Sequence, residues 1–136
     1  MEKEIKQTWH FNQSPEMVWD YLTKPELLEQ WLMPNDFKPV VGHKFIFTSP
    51  TICREHHCEV LEVTPYTKLT YTWQKNSAKD GKPFNSKVYW TLTPTDKGTE
   101  LQLIHNGFIE IEDFDGHNNG WAMLVNKLVE KLNAIK

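Results

Sequence analysis

Between about residue 37 and residue 109 the apolar residues recur at every second position, and after that the rhythm changes once, to that of a helix. Phe45 and Phe47 alternate, Val60 and Glu62 oppose Leu61 and Val63, and Leu69, Tyr71 and Trp73 share a face. So do Val88, Trp90 and Leu92, and again Leu101, Leu103 and His105. Turn signals separate the runs: Ser49-Pro50, Pro65-Tyr66, Asp80-Gly81 and the segment from Pro94 to Gly98. Strands joined by short turns make an antiparallel meander with one face buried and one wet. From about Asp115 to Ile135, Trp121, Leu124, Val125, Leu128 and Leu132 follow a helical stripe. A helix of roughly 20 residues spans about 30 Å, and so wide an apolar face requires a partner the size of a sheet.

Ahead of the meander, Ile5, Gln7, Trp9 and Phe11 alternate within residues 3–12 as a first strand. Ser14-Pro15-Glu16 then opens a helix: serine caps an orphan N–H, proline at the first position has none to lose, and glutamate suits the positive end. Val18, Trp19 and Leu22 form its apolar face. Pro25-Glu26 starts a second short helix through Leu27, Leu28 and Trp31, which Pro34 stops. The acidic residues Glu110, Glu112, Asp113 and Asp115 read as a loop preceding the final helix, favourable near its N-terminus. The order is strand, two short helices, five or six antiparallel strands and one long helix, an α+β domain over residues 1–136.

Six Trp, seven Phe and four Tyr supply enough bulk to fill a core or line a cavity. A net charge of −3 offers no basic field to nucleic acid or an anionic membrane. The N-terminus is charged and no long apolar run follows, so a cytoplasmic protein is expected, with no membrane partner. Cys53 and Cys58 are too few for a disulfide framework. The stretch Cys53-Arg54-Glu55-His56-His57-Cys58 carries metal-ligating residue types, but on a strand Cys53, Glu55 and His57 point one way and His56 and Cys58 the other. They do not converge on one ion. Cys58 reads as a small core residue beside Val60. No glycine-rich phosphate loop is present, and no cofactor or metal is expected.

The order of elements, with the residues that fill it, resembles the helix-grip fold of the START-like (SRPBCC, Bet v 1-like) superfamily. Within it the chain is most similar to the family named after the activator of the heat shock protein 90 ATPase. Ser14-Pro15-Glu16-Met17-Val18-Trp19 resembles that family's first helix opening, and Pro25 to Trp31 its second helix. Gly42 with Phe45-Ile46-Phe47, the run Glu59 to Val63 with Pro65, and Leu69 to Trp73 resemble its Gly-turn, aromatic strand and central hairpin. Gly98-Thr99, Leu101 to His105, and Gly120-Trp121 with Leu124 and Leu128 resemble its last strand and helix. The chain departs from the pattern at Gly42-His43, at Trp31-Leu32-Met33-Pro34 and at Cys58, all placed near the mouth of the expected cavity.

The resemblance implies a curved sheet of about six or seven strands wrapped around the C-terminal helix, with a cavity between them. Phe45, Phe47, Tyr71, Trp73, Trp90, His105, Phe108, Trp121 and Leu124 are the expected lining. From periodicity alone the same residues also fit a dry core. His105 reads either as a hydrogen-bonded core histidine or as a polar handle in the pocket, and His117 as a cap or flank of the final helix. Neither histidine stands at a motif of nucleophilic catalysis, so no catalytic residue is assigned. Three functions follow: a module binding a small apolar or amphipathic molecule, a chaperone-interacting module like the family's namesake, or, ranked last, a cyclase- or dehydratase-type enzyme of the same fold. The resemblance implies that the namesake engages its chaperone through a second domain, for which a chain assigned throughout to one domain is expected to have no room, which favours the first.

Overall fold

The computed structural model describes residues 3–49, 54–76, 83–108 and 111–134. Pro50, Cys53, the Asp80-Gly81 turn, Glu110 and Ile135 lie outside them. Strand β1 (Lys3–Phe11) is followed by helices α1 (Pro15–Thr23) and α2 (Pro25–Trp31). Five strands come next, β2 (Lys44–Ser49), β3 (Arg54–Thr64), β4 (Lys68–Asn76), β5 (Pro83–Thr95) and β6 (Gly98–Phe108), and then α3 (Ile111–Asn133). The six strands form one curved antiparallel sheet in the order β1-β6-β5-β4-β3-β2. The expected α+β helix-grip architecture is present.

The local signals act as the sequence suggests. The Ser14 side chain accepts from the Met17 N–H at 3.3 Å, with Pro15 opening α1. Trp31 of α2 donates its indole N–H to the Tyr21 carbonyl at 2.9 Å, closing the two short helices on each other. Period two does not begin at residue 37 but at Lys44. Residues 34–36 instead run along the outer side of β2. The Ile46 N–H donates to Asp36 Oδ1 at 2.8 Å, the Thr48 N–H to the Pro34 carbonyl at 3.0 Å, and Asn35 bridges to Phe47.

Helix α3 starts at Ile111, four residues earlier than the expected Asp115. Asp113 and Asp115 therefore sit in its first turns, where the orphan N–H groups and the macrodipole favour negative charge, rather than in a preceding loop. The helix lies against β1, β6 and α2. Two β1-side amides tie it down: Gln7 Nε2 donates to the carbonyl and Oδ1 of Asn118 at 2.9 and 2.8 Å, and Gln13 Nε2 to the Leu132 carbonyl at 2.8 Å. Trp121, Val125, Leu128 and Leu132 face the sheet and are buried, while Leu124 is half-buried at the edge of the stripe.

Strand β6 keeps its alternation through His105 and then breaks it. Gly107 has φ +101°, and a Cβ there would come within 3.0 Å of the Asn85 carbonyl oxygen and the Ser86 Cα. The extra residue resets the phase of the strand, as a bulge does, and the register of β1 against β6 shifts at the same place. Phe108 consequently faces inward three positions after His105, and both are fully buried.

Candidate functional site

Aromatic rings fill the space between the sheet and α3, and they divide into two groups. Toward β2, Phe37 meets Phe45 at 4.9 Å, and Phe45 meets Phe47 and Tyr71 at 5.3 Å each, all edge-to-face. Such pairs contribute about 0.5–1.5 kcal/mol each beyond their area burial, so this is a packed core. Tyr71 accepts the Trp90 indole N–H at 2.9 Å. Burial pushes the Tyr71 phenol far above its ordinary range, the Trp90 hydrogen bond offsets part of that, and nearby Cys58 adds to it. Burial likewise drives the Cys58 thiol upward, with the Asp36 carboxylate adding, so Cys58 is a protonated core residue and not a nucleophile.

The second group centres on Trp73. His56 of β3 stacks on it with centroids 4.8 Å apart, and Trp121 and Phe47 approach at 5.5 and 5.4 Å. His105 and His117 present their rings at 5.9 and 6.4 Å. Beneath these rings runs a chain of buried hydrogen bonds. Trp121 Nε1–H can only donate, and it donates to His105 Nδ1 at 2.9 Å. Nδ1 is therefore the acceptor and the ring proton sits on Nε2, which lies 2.7 Å from Ser86 Oγ. Ser86 in turn donates to the Trp73 carbonyl at 2.7 Å. Each member has its role fixed by the next, and His105 is held neutral.

A serine 2.7 Å from a histidine suggests a nucleophile and its base, but the protons run the wrong way. The Nε2 atom faces Ser86 with its proton, the hydroxyl proton points at a carbonyl, and an indole replaces the carboxylate that orients a catalytic imidazole. The chain of bonds couples α3, β4, β5 and β6; it does not activate Ser86.

Above this layer a cleft of about 150 Å³ opens between β3, β4 and the N-terminal half of α3. Its walls are Met33, His56, Trp73, His117, Trp121 and Leu124, with Gly116 and Gly120 on the helix side. The Trp73 indole nitrogen is buried and has no acceptor among the described residues. His117 lies in the second turn of α3, not at its cap, with Nδ1 2.9 Å from the Asp113 carbonyl, which fixes Nδ1 as the donor.

Of the nine expected lining residues, Trp73, Trp121 and Leu124 form walls of this cleft. Phe45, Phe47 and Tyr71 belong to the packed group, Trp90 stands edge-on between Trp31 and Trp121, and His105 and Phe108 pack on each other at 4.6 Å, with Phe108 against His117. His56, His117, Met33, Gly116 and Gly120 were not among the expected residues. His56 carried a usable signal, since it alternates inward with Cys58 and Val60 and is only 5% exposed. Its position inside a charged Arg-Glu-His-His run disguised it.

The model of the family described as Activator of Hsp90 ATPase homolog 1-like protein matches residues 12–133. The chain belongs to this family. Protein MLL2253 of Mesorhizobium loti is 36% identical and similar over 98% of this chain and 99% of its own, with a TM-score of 0.91. Protein BH1534 of Bacillus halodurans is 26% identical, over 96% of both chains, with a TM-score of 0.79. A Colwellia psychrerythraea protein described as an Aha1 dimer has a TM-score of 0.79 at 20% identity, covering 96% of each chain, a likeness of fold alone. No curated protein gives a significant match. No helix among the described residues is long and apolar enough to cross a membrane.

Proposed function

We propose that this member of the Activator of Hsp90 ATPase homolog 1-like family binds a small apolar or amphipathic molecule between its sheet and α3. The observation that carries the reading is the cleft walled by Trp73, Trp121, His56 and His117: largely apolar and aromatic, with a few polar atoms converging on it. Its volume of about 150 Å³ equals that of an apolar protein cavity that takes up benzene, and falls below the roughly 300–1,000 Å³ of drug-sized sites. A ring-sized ligand fits as the cleft stands. Binding is tested by native mass spectrometry of the purified protein. A parallel screen of fatty acids, isoprenoids, flavonoids and aromatic acids reads Trp fluorescence, to which Trp73 and Trp121 respond directly. A stoichiometric adduct or saturable quenching supports the reading; neither, across all four classes, removes it.

The second reading, a chaperone-interacting module in the cytoplasm, draws on the family description and on the fold shared with the Aha1 protein. Fold likeness is a weak guide to a partner. A pull-down on the chaperone, with an ATPase assay, tests it: bound chaperone with faster ATP turnover favours this reading over the first.

A further inference from the structure

Trp121 is a wall of the cleft, and the hydrogen bond that holds it there depends on the protonation state of a residue behind that wall. Its indole N–H donates to His105 Nδ1 at 2.9 Å, and that nitrogen accepts only while the imidazole is neutral. On the other side of the ring, Nε2 already carries the proton that faces Ser86 Oγ at 2.7 Å. A second proton therefore has one place to go, Nδ1, where it sets N–H against N–H. The Ser86 bond survives this and the Trp121 bond does not. Trp121 is 3% exposed and its nitrogen can only donate, so where the indole stands it would be a buried donor without an acceptor, which proteins avoid. Trp73 and Trp90 flank the indole at 5.5 Å each, while on its open side lies the cleft of about 150 Å³. Relief is in that direction.

Among the described residues, His105 faces His117 of α3 edge-on at 5.4 Å and Trp73 of β4 at 5.9 Å, with His56 of β3 stacked on Trp73. Phe108 packs on it from its own strand at 4.6 Å, and its cross-strand neighbours, Ile5 of β1 and Val88 of β5, are uncharged. Asp113 is buried one turn before His117, whose Nδ1 donates to the Asp113 carbonyl. A proton taken up by His117 goes to Nε2 and leaves that bond in place. Of these two imidazoles, His105 alone exchanges a proton for a wall of the cleft. We infer that His105 is a proton-operated latch: neutral, it holds the Trp121 indole as a wall, and protonated at Nδ1 it releases that indole into the cleft. The latch concerns the wall and not its occupant, and so goes beyond the binding reading; where that reading holds, it regulates the same site.

An NMR titration without ligand tests this. In ¹⁵N-labelled protein the Trp121 indole signal is followed from about pH 8 down to the onset of acid unfolding, together with the ring nitrogens of His105 and His117. The Trp121 proton is expected to move upfield and lose its NOE to the His105 ring at the midpoint where His105 Nδ1 gains its proton. The indole signal of Trp31, which donates to the Tyr21 carbonyl, should stay in place. His105→Gln keeps a donor and an acceptor but cannot titrate, and should leave the Trp121 signal flat over the same range. Trp121→Phe removes the bond that opposes the proton and should raise the His105 midpoint by roughly one pH unit, a tenfold gain in proton affinity. A Trp121 signal unmoved until the protein unfolds overturns the latch. So does one that follows His117 while His105 stays neutral, one that still titrates in His105→Gln, or an unchanged His105 midpoint in Trp121→Phe. Should His105→Gln not fold, the parent titration and Trp121→Phe decide. None of these outcomes bears on the binding reading, which the ligand screen decides separately.

Discussion

Ser86→Ala removes one oxygen from the protein, and the hydrogen-bond chain makes its cost calculable. Ser86 is 3% exposed and serves two partners, accepting from His105 Nε2–H and donating to the Trp73 carbonyl, both at 2.7 Å. Loss of the hydroxyl orphans the imidazole donor, a penalty of about 1–3 kcal/mol for a buried group, and forfeits a second hydrogen bond of about 1 kcal/mol. The ring cannot escape by moving its proton to Nδ1, because Trp121 Nε1–H already points there. Nor does water restore the bond, since a deleted hydroxyl leaves less room than a water molecule requires. The expected loss is therefore about 2–4 kcal/mol, against a few tenths for an ordinary serine on a wet strand face. Out of a total stability of order 10 kcal/mol this is large. Urea unfolding at neutral pH measures it, with an unchanged m-value showing that the folded surface is intact. A double-mutant cycle with Trp121→Phe should give a coupling of at least 0.5 kcal/mol, since both act on one imidazole. A loss below about 0.5 kcal/mol with no coupling would refute the chain of bonds, and so would NMR assignment of the His105 proton to Nδ1.

Leu128, fully buried at the centre of α3's stripe, should lose about 2–5 kcal/mol on truncation to alanine, read by the same unfolding assay. Gly107→Ala should cost at least 1–3 kcal/mol, because a Cβ at φ +101° is strained and meets the β5 backbone; it should also disturb the NMR signals of Phe108 and His105. Alkali should destabilise the protein earlier than its surface groups require. The folded values of Cys58 and Tyr71 are both raised, so below the unfolded thiol value of about 8.5 their contribution is full. As pH climbs past that value, and past about 10 for the phenol, only the unfolded chain releases these protons and stability falls, by up to about 1.4 kcal/mol per pH unit for each group. A melting series from pH 7 to 11 shows this as an accelerating drop, and Cys58→Ala should delay its onset.

How far the sequence could be read depended on whether a residue's face or its partner decided its role. Period two placed Phe45, Phe47, Leu69, Tyr71, Trp73, Val88, Trp90, Leu101, Leu103 and His105 inward, and all ten are buried. Ser86 has the same parity as Val88 and Trp90, but a serine in an alternating run looks solvated until the histidine across the strand pair is seen. Gly107 is a single turn residue in the sequence, and only its φ and its approach to Ser86 show that it turns Phe108 inward. His56 and His117 escaped because local context, a charged run in one case and a helix start in the other, outweighed their faces. Whether an inward aromatic set packs tight or leaves a cleft lies beyond periodicity. Here the cleft lies beside Gly116 and Gly120, where α3 carries no side chains.

The segment 34–36 that satisfies the outer side of β2 also sets how this sheet meets other polypeptides. Strands with open N–H and C=O rows recruit further strands, as sheet extension and fibril growth both require. Asp36 and Pro34 already occupy the Ile46 and Thr48 donors, with Asn35 fastened by its side-chain amide to the Pro25 and Met33 carbonyls behind them. The β2 margin is thus closed to backbone pairing by the chain's own loop.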